Sequence, residues 1–124
     1  MKKSKMIIKY ATKKHAKEFY GEDWTQSFKG IVALINGKPI GMGGIRFDGE
    51  KGILFSDTTS EGRKHKKQTV KCIRVLKKMV EETNYPVCAI ASKDEPLSEK
   101  ILVKLGFKFS GGIVSGEKMF WRVP

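Results

Sequence analysis

Acidic side chains are scarce in this sequence. Against 25 Lys and Arg there are only 13 Asp and Glu, which leaves a formal charge of +12 on 124 residues. So basic a surface attracts phosphate-bearing partners, nucleic acid or a phosphorylated cofactor, and charge alone does not choose between them. Cysteine and histidine are scarcer still: Cys72, Cys88, His15 and His65 are the whole supply, and no C-x-x-C pair occurs. A zinc site, or any other metal site, is therefore not expected. Each cysteine sits inside an apolar run, as buried, reduced thiols do. No apolar segment reaches 18 residues, so no membrane-spanning helix is expected. The opening MKKSKMIIKY is basic, but its apolar stretch is too short for a signal-peptide core, and the cytoplasm is the expected location. There is no Walker loop, no Ser/His/Asp arrangement and no carboxylate pair of glycosidase character.

What is present reads as one domain over residues 1–124, with 40% hydrophobic content. Residues 6–10 (MIIKY) predict a short strand. Residues 12–20 (TKKHAKEFY) predict a helix capped by Thr12, with Ala16, Phe19 and Tyr20 on its apolar face. After a connection at 21–28 come GIVALI and PIGMGGIRF, joined by NGK. Asn36-Gly37 signals a hairpin, because both central residues of its turn need positive φ. Gly41, Gly43 and Gly44 in the second of these strands point to a bulge or to close packing. The turn DGEKG leads to a third strand, ILFSDTT.

Residues 64–83 predict the longest helix. Val70, Cys72, Ile73, Val75, Leu76, Met79 and Val80 form its stripe, and Asn84, Tyr85 and Pro86 end it. VCAIA (87–91) suits a buried strand. Pro96 opens a last helix with Leu97, Ile101, Leu102 and Leu105 on one face and Gly106 as its stop. Strands near 107–110 and 117–123 follow. The order is β-α-β-β-β-α-β-α-β-β, an α/β (α+β) arrangement. A crossover over 53–91 makes its two strands parallel neighbours.

This order resembles the GNAT superfamily of N-acetyltransferases. SEKILVKLGFKFSG is similar to the family's last helix, which exits through L-G-F into a strand. IIKYATKKHAKEF is similar to its first strand and helix, and NGKPIGMGGI to its second hairpin. The short length and the phrase FSDTTSEGRKHK also resemble compact GNAT-like proteins of tailed bacteriophages, which would put the chain in a host cytoplasm. The resemblance implies a mixed, mostly antiparallel sheet of six to seven strands flanked by three helices. It also implies acetyl-CoA or CoA as cofactor and an amine as acceptor.

The family binds the cofactor pyrophosphate on a glycine-rich turn at the start of the long helix, where free N–H groups and the helix dipole favour an anion. The matching segment here is Gly62-Arg63-Lys64-His65-Lys66-Lys67, and side chains stand at His65 and Lys67 where the pattern has glycine. Four cations at a helix start oppose its dipole. Either they contact phosphate or they form a solvated basic face. The resemblance further places Ser56, Asp57 and Thr58 along the pantetheine arm. Asp57 lies near the acetyl group, as a general base if burial raises its pKa, or else as the cap of a turn. Ser98 matches a cofactor-facing small residue, or is a plain surface serine. Leu102 stands where many members carry a tyrosine acid. Trp24 and Phe28 line the acceptor site or cover the core, Trp121 is core, and His15 is solvated.

Two functions are open. One is acetyl transfer from acetyl-CoA to an amine. The other is a GNAT-fold binding module, catalytically eroded, that offers its basic face to nucleic acid or to a partner protein. No recognition helix and no strand pair with stacked aromatics beside basic residues occurs, so nucleic-acid binding is expected to be weak and non-specific.

Overall fold

The computed structural model describes residues 5–93 and 97–124; Lys2, Lys3 and the helix-opening role of Pro96 lie outside them. Seven strands form one sheet in the order β1-β2-β3-β4-β5-β7-β6. The strands β1 (Met6–Tyr10), β2 (Phe28–Ile35), β3 (Lys38–Asp48) and β4 (Lys51–Thr58) pair antiparallel with one another in sequence. Asn36 and Gly37, at φ 52° and 76°, make the predicted two-residue turn between β2 and β3. After the long helix α2 (Lys66–Glu81), strand β5 (Val87–Ile90) joins β4 in parallel. The hairpin of β6 (Lys108–Val114) and β7 (Glu117–Arg122) closes the sheet against β5.

The sheet has a helix layer on each face. Helix α1 (Lys13–Tyr20) covers one face, where Ala16, Val32, Leu34, Met42 and Phe55 form a cluster ringed by Phe19, Tyr20, Trp24 and Phe28. Helices α2 and α3 (Ser98–Lys104) cover the other. There Leu76, Met79 and Val80 meet Leu102 and Leu105 over Ile31, Ile45, Val87, Ala89 and Phe120. Gly43 lets α2 come close: a Cβ there would lie 3.1 Å from Leu76 Cδ1. No described helix is long and apolar enough to cross a membrane.

Three details differ from the sequence reading. His15 is half-buried rather than solvated: its Nδ1 accepts from Thr12 N–H at 3.1 Å, while its own N–H donates to Thr12 Oγ1 at 3.3 Å, a capping box closed by an imidazole. Strand β6 runs to Val114, beyond the residues 107–110 expected. Its glycines form a bulge, with Gly111 at φ 86° and the register shifting between Phe109 and Ile113. The long helix starts at Lys66, later than expected, because a separate 3-10 turn spans Gly62–Lys64 and His65 breaks the helical path at φ −95°, ψ 68°.

Candidate active site

Strands β4 and β5 touch only at their beginnings. Their pairing is Gly52 with Val87 and Ile53 with Cys88, and no further. From Leu54 to Thr58 the β5-facing backbone edge of β4 has no ladder partner, although its other edge stays paired to β3 up to Thr58. A wedge therefore opens between two parallel strands, at the end of the sheet where β4 hands over to α2. Ser56, Asp57 and Thr58 lie along this open stretch, and all three are exposed.

The hand-over is held by a bulge. In β2–β3 the register jumps so that Ala33 faces Gly41 while Leu34 faces Pro39, leaving Ile40 as the extra residue. Its carbonyl accepts from Thr59 N–H at 2.9 Å and from Thr59 Oγ1 at 3.1 Å. Thr59 Oγ1 in turn accepts from Gly62 N–H at 3.2 Å, and Thr59 O from Arg63 N–H at 3.1 Å. Gly62 is buried here because nothing larger fits: a Cβ would lie 2.8 Å from the Ile40 carbonyl oxygen and against the Thr58 methyl.

This chain of bonds decides which N–H groups are free. Those of Gly62 and Arg63 go to Thr59, Lys64 N–H goes to Glu61 O, and His65 N–H goes to Gly62 O, the last two at 3.1 Å. The first N–H of α2 that reaches back is Thr69, to His65 O at 3.0 Å. Among the described residues nothing accepts from Lys66, Lys67 and Gln68 N–H, which present the open donors of the helix start. Of the residues expected to cradle phosphate, Gly62 serves packing. Arg63 and Lys64 contribute exposed side chains, and Lys66 and Lys67 contribute backbone as well. Gln68 was not foreseen. Of the residues at the two glycine positions, His65 is half-buried and Lys67 exposed.

The opposite side of the wedge is built from side chains. Tyr20 Oη donates to Asp57 Oδ2 at 2.7 Å, joining α1 to β4 across 37 residues of sequence. The Tyr20 ring stacks on Trp24, with centroids 4.8 Å apart and planes 23° apart, and Trp24 meets Phe28 and Phe55 edge-on. The Arg46 guanidinium lies over the Trp24 ring at 4.9 Å, and its Nε is buried without a partner. Trp24 thus meets both Arg46 and Tyr20 and forms the wall of this region. Burial pushes the Tyr20 phenol far above its ordinary 10.0; the hydrogen bond and charge of Asp57 push the same way, and Arg46 pulls weakly down. Tyr20 is therefore a standing hydrogen-bond donor at any ordinary pH. Asp57 itself is exposed rather than buried.

Two further residues are settled by packing. Leu102 is 5% exposed within the core of the α2 and α3 face, so that position supplies a wall and no proton. The Ser98 hydroxyl accepts from Ser92 N–H at 3.0 Å and fixes the exit of β5 onto α3. Among the described residues no group of His, Cys, Asp and Glu is placed to hold a metal. Cys72 and Cys88 are free thiols, each pushed up in pKa by burial.

No protein-family model matches the sequence, and no curated protein matches it. Solved structures do match its fold. An N-acetyltransferase from Staphylococcus aureus superposes with a TM-score of 0.67 at 13% identity, over 97% of this chain and 99% of that one. A GNAT-family acetyltransferase from Streptococcus pneumoniae gives 0.62 at 12% identity, over 97% and 100%. The PaiA N-acetyltransferase of Thermoplasma acidophilum, solved in complex with coenzyme A, gives 0.58 at 14% identity, over 88% of this chain and 66% of that one. With its seven-strand sheet, its three helices and the opening between β4 and β5, the chain has the GNAT acetyltransferase fold.

Proposed function

We propose that the chain is an acetyl-CoA-dependent N-acetyltransferase acting on an amine. The observation that carries this reading is the parting of β4 from β5 after two residue pairs, at the end where α2 starts with three unspent N–H groups. The residues present fit CoA. Lys66, Lys67 and Gln68 would hold the pyrophosphate by backbone N–H and helix dipole, with the side chains of Arg63, Lys64, Lys66 and Lys67 adding charge in place of glycine amides. The open edge from Leu54 to Thr58, including Ser56 and Thr58, would pair with the amides of the pantetheine arm. Ser98 would act at second hand, by fixing the strand end beside that arm. When bound, acetyl-CoA supplies the acetyl group as an activated thioester.

Asp57 would receive the acceptor. Its Oδ1, unlike Oδ2, has no partner among the described residues. An exposed carboxylate attracts an ammonium and can take its proton directly or through water. Tyr20 holds its own proton too tightly to serve as a relay. A thiol leaving group needs little acid help, so a leucine at position 102 does not forbid turnover.

The charge of +12 fits this partner list without nucleic acid as a specific ligand. Duplex binding is expected to be weak and to vanish near physiological salt, whereas CoA binding persists there. The test is a thermal-shift titration with acetyl-CoA, followed by thiol release with a panel of primary amines. A ligand at a hundredfold excess over Kd stabilises by about 2.7 kcal/mol. No shift at millimolar acetyl-CoA would sink the enzyme and leave the binding module.

A further inference from the structure

Most of the side chains that contact one another around the wedge could serve packing alone. The Tyr20–Asp57 bond is different. Both residues are polar, and the bond links a helix end to a strand end that the sheet leaves open. Tyr20 is the last residue of α1, just before Gly21, which ends the helix at φ 78°. Its ring is fixed on two sides, by Phe19 edge-on at 4.8 Å and by Trp24 stacked at 4.8 Å. The phenol is thus a rigid post with a hydroxyl at its tip. Asp57 has no such support of its own: it is exposed, and its neighbours along the strand, Ser56 and Thr58, are exposed too. A free Asp at a strand end samples several rotamers.

We propose that Tyr20 is a positioning residue for the acceptor: by tying down one oxygen of Asp57 it aims the other at the incoming amine. This rests on the acetyltransferase reading and deepens it. Asp57 touches the amine, and Tyr20 acts only through Asp57. The order of the bond explains why the phenol is kept protonated. A hydroxyl that ionised would repel the carboxylate it is meant to hold. The acceptor is then recognised by a single oriented carboxylate oxygen beside an aromatic wall whose Trp24 ring already carries Tyr20 and Arg46. A small or linear primary ammonium fits that description better than a flat, stacking one.

The experiment is a double-mutant cycle with acetyl-CoA and spermidine, free lysine and a peptide with a free N-terminus as amine probes, using the best of the three. Asp57→Asn should lower kcat about a hundredfold. Tyr20→Phe, which keeps the ring and its stacking, should lower kcat about tenfold and leave the KM for acetyl-CoA unchanged. In the Asp57→Asn background Tyr20→Phe should cost nothing more, because its target is gone. A readout independent of activity uses Tyr20→Phe alone: the Asp57 side chain, held in one rotamer in the native chain, should average over several when followed by NMR coupling constants. Independent, multiplying losses in the cycle, a Tyr20→Phe enzyme equal to wild type, or an Asp57 rotamer unmoved by Tyr20→Phe would each overturn the positioning role while leaving acetyl transfer standing. A wild-type protein that acetylates none of the probes overturns the acetyltransferase reading, and the role of Tyr20 with it.

Discussion

The two sides of the wedge are built by different physics. On the α1 side, position is set by side chains: a phenol on a carboxylate, a tryptophan in contact with a tyrosine and an arginine, two phenylalanines edge-on to it. On the α2 side, position is set by backbone: a bulge at Ile40 anchors Thr59, Thr59 anchors a 3-10 turn, and the turn delivers three free N–H groups under exposed basic side chains. The first arrangement selects a shape. The second accepts an anion of any shape and adds long-range attraction. A cofactor shared by a whole fold suits the second, and an acceptor peculiar to one protein suits the first.

The comparison breaks most sharply on charge. Joint neutralisation of Arg63, Lys64, Lys66 and Lys67 to Ala should weaken acetyl-CoA binding by about a hundredfold in calorimetry, since an exposed charge contact contributes up to about 1 kcal/mol. The same treatment of Lys71 and Lys78, further along α2, should change it little. Equal losses would mean that only general charge is sensed. Next in size is Leu102→Tyr, which installs the acid the family resemblance leads one to seek. Because Leu102 is buried in a packed cluster, the substitution should destabilise the chain by about 1–3 kcal/mol in urea titration and give no gain in turnover. Thr59→Val keeps the volume and removes the hydroxyl that bridges Ile40 and Gly62. It should cost about 1–2 kcal/mol in the same titration and also weaken CoA, while leaving the Tyr20 phenol untouched.

The smallest effect is one of pH. Tyr20 binds its proton more tightly in the folded chain than in the unfolded one, so its contribution is full below about pH 10 and fades as pH rises through the raised folded value. Wild type should therefore lose stability more steeply above pH 10 than Tyr20→Phe. Tyr85, Cys72 and Cys88 are also raised and fall away in both proteins alike, so the difference between the two curves isolates Tyr20.

What the sequence reveals is what depends on neighbours in the chain. Thr12 before an amphipathic octet is a cap, Asn36-Gly37 is a hairpin, and a long stripe between two apolar runs is a crossover; the element order and the fold follow from these. The turn before α2 was legible as a place but not as a donor set. Which N–H groups are spent depends on a carbonyl at Ile40, 19 residues before Thr59. Thr59 itself read as the last residue of a strand. Tyr20 read as part of an apolar face, and its hydroxyl finds Asp57 only when α1 crosses β4; no periodicity encodes that pair. The β6 bulge was hidden because Ser110-Gly111-Gly112 looks like loop until a partner strand is beside it.

The central claim is that this chain meets CoA through the N–H groups of Lys66, Lys67 and Gln68 and the open edge of β4. An amide NMR titration with CoA tests it residue by residue. The largest shifts are expected at Lys66, Lys67, Gln68 and along Leu54–Thr58, with smaller ones at Gly62 and His65, whose N–H groups are already bonded. Shifts confined to Lys71, Lys78 and other distant basic residues, or none at millimolar CoA, would contradict it.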